Sequence, residues 1–236
     1  MNPALSVVCG LSFLAILAVV ISILLAAKRR KEIAAWALSK GLSFDRARDP
    51  GMEARFPAFE CLRQGSNRRA YNVSQGEWAH RRFTAFDYYY ETYSHNSKGG
   101  RQTHPHHFSA IVMGSDVPLK SLFIRPEGFL DKIGEFFGLD DIDFESAEFS
   151  RKFYVKAPEK RWAYDVIHAR TMEFLLGMPR FTIQFGPADV IVFRSSVFPV
   201  DHFESGAEVA QGILDRLPEY VVKQQTNAEC KVQNAK

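Results

Sequence analysis

Arg82–Tyr90 reads RFTAFDYYY. In an extended chain successive side chains take opposite faces. Phe83, Ala85, Asp87 and Tyr89 therefore share one face, and Arg82, Thr84, Phe86, Tyr88 and Tyr90 the other. Aromatic rings on both faces suit a strand packed from both sides, so the pattern predicts a central strand. This stretch belongs to a longer expected strand, Glu77–Tyr90, and Ala70–Val73 is expected to pair with it across a Ser74-Gln75-Gly76 turn, with Gly76 supplying positive φ. Downstream, a polar loop Ser94–Pro105 leads to a third strand, His107–Met113, and Pro118–Arg125 supplies a fourth. Strands that follow one another without intervening helices predict an antiparallel meander.

The period then changes. Phe129, Leu130, Ile133, Phe136 and Phe137 recur at helical spacing between Pro126 and Gly138, which predicts an amphipathic helix. Phe149–Lys156 reads as a strand with Phe153 and Val155 inward. Glu159–Leu176 reads as a helix, and Phe181–Phe185 with Val190–Arg194 as a hairpin about Gly186-Pro187. A last helix, Asp201–Leu217, carries Phe203, Ala207, Ala210, Ile213, Leu214 and Leu217 on one stripe, and from Lys223 the polar tail lacks apolar period. The fold class expected is α+β, with a largely antiparallel sheet and about three amphipathic helices.

Ahead of this domain, no residue from Leu5 to Ala27 is charged, and Lys28, Arg29, Arg30 and Lys31 follow at once. Twenty-three residues make about 35 Å of helix, enough to cross a hydrocarbon core of about 30 Å. A cleaved signal peptide carries its cations before a shorter apolar run; here they come after a longer one. The order predicts an uncleaved anchor with the N-terminus outside and the domain in the cytoplasm. Ile33, Trp36, Ala37 and Lys40 then share one side of a helix that Gly41 is placed to end. The expected organisation is an anchor over 1–27, a basic juxtamembrane helix over 28–41, a globular domain over 42–222 able to fold without its span, and a disordered tail over 223–236.

All 30 Lys+Arg and 27 Asp+Glu lie after residue 27. Removing the four flanking cations from the net +3 leaves about −1, so the pI near 8.7 is an anchor effect and argues against nucleic-acid binding. The three cysteines, Cys9 in the apolar run, Cys61, and Cys230 in the tail, make no disulfide framework and agree with a reducing compartment.

Four constellations invite chemistry, each with a simpler reading. His95, His104, His106 and His107 offer imidazoles for a transition metal, but adjacent strand residues point apart and a solvated hairpin explains them. Asp140, Asp141, Asp143, Glu145 and Glu148 offer oxygens for a hard cation; the calcium-loop spacing is missing, and turn formation suffices. Phe86-Asp87-Tyr88-Tyr89-Tyr90 with Tyr93, Arg81 and Arg82 resembles a base-stacking platform, although central-strand packing accounts for it. Cys61 lacks any accompanying Cys/His signature and reads as a small buried hydrophobe. Asn72-Val73-Ser74 matches a glycosylation sequon that a cytoplasmic strand would never present. No catalytic, cofactor-binding or metal residue is assigned.

Asp143–Phe153, Trp162-Ala163-Tyr164 and Thr171–Leu175, with Phe86-Asp87-Tyr88 and Arg125-Pro126-Glu127 upstream, resemble an uncharacterised family of bacterial membrane-anchored proteins that carry a domain of unknown function. The resemblance covers about half the domain and implies a bacterial membrane protein of unassigned activity. The reading that results is a single-pass inner-membrane protein whose cytoplasmic domain binds a protein or a lipid headgroup. The alternative is a membrane-tethered hydrolase-like enzyme. A cleft uniting His104, Asp87 and Cys61 would favour the enzyme.

Overall fold

Alternating apolar residues build the domain around one sheet. The computed structural model describes residues 3–95, 99–128 and 140–233. The sheet has eight strands: β1 (Ser43–Asp45), β2 (Ser66–Trp78), β3 (Arg81–His95), β4 (Arg101–Gly114), β5 (Leu122–Pro126), β6 (Phe153–Lys156), β7 (Thr182–Phe185) and β8 (Asp189–Phe193). Their order is β1-β2-β3-β4-β8-β7-β5-β6, with antiparallel neighbours throughout. The α+β expectation is met, and the meander β1–β4 is extended by a second antiparallel group whose chain order is shuffled.

Two clusters sandwich the sheet, and the alternation in β3 assigns its rings to them. Phe83 and Ala85 join Ile111, Met113, Val190 and Val192 on one face, beneath α1 (Pro3–Ser39) and α6 (Asp201–Leu214). Phe86 and Tyr88 join Phe108, Ala110, Ile191 and Phe193 on the other, beneath Phe56, Phe59, Leu62 and Met52 of the short helix α2 (Met52–Arg55). Burying each such large side chain contributes about 1.5–3 kcal/mol.

Helix α1 is continuous from the apolar run into the domain. Residues 12–26 are exposed along its length, whereas Ile33, Trp36 and Ala37 are buried. It is the one helix among the described residues long and apolar enough to cross a membrane. Trp36 stacks on Phe203 at 5.3 Å and meets Phe83 edge-on at 6.4 Å, so it belongs to the core. Gly41, at φ 71°, ends the helix: Gly41 N bonds to Leu38 O at 3.1 Å and Leu42 N to Ala37 O at 2.9 Å, the paired bonds of a Schellman cap. No helix break divides the apolar run from the expected juxtamembrane helix.

Several local expectations change. The β2–β3 turn is Ala79-His80, both at positive φ (48° and 66°) as a two-residue hairpin requires. Ser74-Gln75-Gly76 lies inside β2, where a Cβ on Gly76 would come within 2.9 Å of Leu42 Cδ2; close packing, not turning, explains that glycine. The loop expected at Ser94–Pro105 is largely strand, paired as far as His95↔Arg101. Phe149 sits in α3 (Ala147–Lys152), capped by Ser146 Oγ. The long helix expected from Glu159 breaks at Ile167-His168 into α4 (Lys160–Val166) and α5 (Ala169–Gly177). The tail from Lys223, expected to be disordered, continues α7 (Glu219–Gln233). The helix expected from Pro126 to Gly138 falls almost wholly outside the described residues.

Candidate functional site at the root of helix α1

Asp87 stands on the α1 face of β3, two residues beyond Ala85 in the alternation, and is fully buried. Both of its oxygens are engaged. Arg29 grips it with a two-pronged fork, Nη2 to Oδ1 at 2.7 Å and Nε to Oδ2 at 3.0 Å. Ser109, directly opposite on β4, donates its hydroxyl to Oδ1, and Asn72 Nδ2 donates to Oδ2 at 2.9 Å. Arg29 Nη1 donates to Phe198 O at 2.6 Å, and Phe198 N donates to Ser109 Oγ at 2.8 Å, so the loop before α6 is tied to the same carboxylate.

The backbone of β2 is bent to reach this centre. Its register against β3 slips by one residue between Tyr71 and Ser74, and Asn72 takes φ 52° there. Asparagine tolerates the left-handed region better than most side-chained residues. A second slip, between Ser66 and Arg69, repeats the device: Asn67 also takes φ 52°, and its Nδ2 donates to Glu91 Oε1 at 2.8 Å. Each bulge aims an asparagine at an acid of β3, four residues apart.

The cluster is structural machinery, because its hydrogen-bonding capacity is spent internally. It divides the four flanking cations, which look equivalent in sequence. Arg29 turns inward, Lys28 lies 3.7 Å from Glu32 along the helix, and Arg30 and Lys31 are exposed. Burial, and then the neighbouring Asp87 charge, pushes the Tyr71 phenol up to about 12.

The remaining candidates are distributed along β3 and β4. His104 Nε2 pairs with Ser94 Oγ at 2.7 Å, His106 Nε2 with Thr92 Oγ1 at 2.8 Å, and His107 Nδ1 with Tyr71 Oη at 3.1 Å. His104 and His106 share one sheet face and His107 takes the other, and each is paired with a different neighbour. Among the described residues no group of three or more His, Cys, Asp or Glu side chains is placed to hold a metal. Burial, followed by the Arg69 charge, lowers the His107 pKa. Asp141 Oδ1 accepts from Ile142 N and Val155 N at 2.9 Å each, the turn role its sequence suggested.

Phe86 and Tyr88 are core residues, and Arg81 and Arg82 pair with Asp215 and Asp189 far from the tyrosines. The cations that do meet the tyrosines are Arg69, 3.7 Å above the Tyr89 ring, and Arg101, 3.4 Å above Tyr93. Cys61 is buried and lines a cavity of about 230 Å³ with Tyr90, His106, Phe108 and Arg194, on the sheet face opposite Asp87. His104 is not among its lining residues, and neither is Asp87, so this cavity does not unite His104, Asp87 and Cys61.

No protein-family model and no curated protein matches this sequence. One solved structure shares the fold. It is the crystal structure of the mycobacterial trehalose monomycolate transport factor A, TtfA, with a TM-score of 0.56 at 13% identity, covering 79% of this chain and 92% of that one. At that identity the likeness concerns the architecture alone.

Proposed function

We propose that the chain is a bacterial single-pass inner-membrane protein, N-terminus outside, whose cytoplasmic α+β domain binds a protein or a lipid headgroup at the membrane surface. The observation that carries this reading is the pairing of Arg29, two residues past the apolar run, with the fully buried Asp87. It roots the domain in the helix with no intervening linker, so the domain sits against the bilayer in one orientation. A rigid root suits a binder that must present one surface to membrane partners, and tethering raises its effective concentration there.

A C-terminal reporter active only in the periplasm, fused after Lys236, should stay silent, while one active only in the cytoplasm should work. Strong periplasmic activity would overturn the orientation. Release of the full chain from membranes by carbonate washing would overturn the span.

A further inference from the structure

On the sheet face away from α1, near the start of β3, lies a cavity of about 320 Å³. Thr84 and Val112, cross-strand neighbours on β3 and β4, line it together with Gln75, which pairs with Thr84 from β2. Phe56, the residue that ends α2, supplies an apolar ring, and Arg55 precedes it. Arg82 enters over Gly114. A Cβ at that glycine would lie 3.3 Å from both Cβ and Nε of Arg82, so its absence lets the arginine lie across β4. There Arg82 Nη2 comes to 3.4 Å from Asp189 Oδ1, at the start of β8.

Unlike the cluster around Asp87, this cavity leaves its hydrogen-bonding capacity unspent. Among the described residues, the Gln75 carboxamide and the Thr84 hydroxyl have no hydrogen-bond partner. Asp189 meets only Arg82, through one oxygen, which leaves the other for an incoming hydroxyl. Burial pushes the Asp189 carboxyl up, and Arg82 offsets that only in part. Arg55 donates to Asp49 through Nη2 at 2.9 Å and keeps its other donors. Two guanidinium groups against one carboxylate give the lining a positive balance. Guanidinium forks match phosphate oxygens, and neutral polar side chains match hydroxyls. The volume is that of about ten liquid waters at ~30 Å³ each, the size of a short-chain phosphate ester.

We propose that this cavity binds a small hydroxylated phosphate ester, with its phosphate on Arg82 and Arg55 and its hydroxyls on Asp189, Thr84 and Gln75. A carboxylate would occupy one fork, whereas the three terminal oxygens of a phosphate serve both. The site is open to a soluble molecule. Trp36 meets Phe83, and Arg29, seven residues nearer the N-terminus, meets Asp87, four residues farther along β3. The apolar run therefore departs toward the far end of β3, on the opposite face of the sheet.

The test is calorimetric titration of the full chain in phosphatidylcholine nanodiscs. Glycerol 3-phosphate should bind saturably, once per chain, and glycerol should not bind. Arg82→Gln should weaken binding about tenfold, the loss of a charge-assisted hydrogen bond. Its side chain is 76% exposed, so the melting temperature should stay in place. Arg101→Gln removes an exposed charge at the other end of β4 and should change nothing. Gly114→Ala keeps every charge, crowds Arg82, and should also weaken binding. Thr84→Val should weaken glycerol 3-phosphate more than inorganic phosphate. Absence of saturable binding overturns the proposal, as does an equal loss in Arg101→Gln, which would mark unspecific charge attraction. Equal weakening of both probes by Thr84→Val overturns hydroxyl recognition. Loss of the titration in phosphatidylglycerol discs would put a lipid headgroup in the cavity and overturn the soluble source. In each case the chain stays in the disc, so the spanning reading stands or falls separately.

Discussion

Asp87 accepts four donors on two oxygens while fully buried, so its partners are not interchangeable with solvent. Removing Arg29 alone, as Arg29→Met, should cost about 3–5 kcal/mol, because a carboxylate is then left buried without its counter-ion. Adding Asp87→Leu should recover part of that loss, giving a strongly non-additive double-mutant cycle in denaturant unfolding of the detergent-solubilised chain. Additive losses would show that the two residues are not coupled. His107 allows a prediction with pH. Its folded-state pKa is lowered from 6.5, so the unfolded chain binds more protons there. Stability should be unaffected above the unfolded value and should fall as pH drops below about 6.5 toward the folded value. His107→Gln should flatten that part of the melting-temperature profile.

At the scale of elements, helix α1 belongs to the domain from Arg29 onward. The sequence alone leads to the expectation that a chain beginning near Ala34 folds without its span. Two contacts upstream of that point argue for an earlier start: Arg29 pairs with the fully buried Asp87, and Ile33 is itself fully buried. A chain shortened to begin at Lys28 should be soluble and unfold cooperatively, whereas one beginning at Ala34 should aggregate. Solubility of both by sedimentation would contradict the role given to Arg29. Gly41→Ala should cost roughly 1 kcal/mol through its left-handed backbone alone, since open space surrounds the position. The faces of β3 were legible because alternation is a local property, and the stop at Gly41 was legible for the same reason. The Arg29–Asp87 pair spans 58 residues, and Arg29 looks like its three neighbours, so nothing local distinguished it. The bulges at Asn67 and Asn72 have no local signature, because a slipped register leaves alternation intact on either side. The turn at Ala79-His80 lacks the glycine that announces most tight hairpins.

For the whole molecule, orientation is assigned to the cations that remain outside the core. Lys28, Arg30 and Lys31 changed together to Ala should leave membrane association and folding intact and give mixed topology in a cysteine-accessibility assay. A single retained orientation would remove them as the topology signal. Including Arg29 in the set would confuse topology with unfolding, a distinction invisible in the four-residue basic run. The unbroken course of α1 has a consequence of another kind. A helix without a joint transmits angle as well as position, at about 100° and 1.5 Å per residue. One alanine inserted after Ala27 would swing the domain by about 100° relative to any neighbour gripping the span, and four would bring it back to within about 40° of its starting azimuth. If the span has such a neighbour, cross-linking yield between them should rise and fall with insert length in helical phase, as between gears on one shaft.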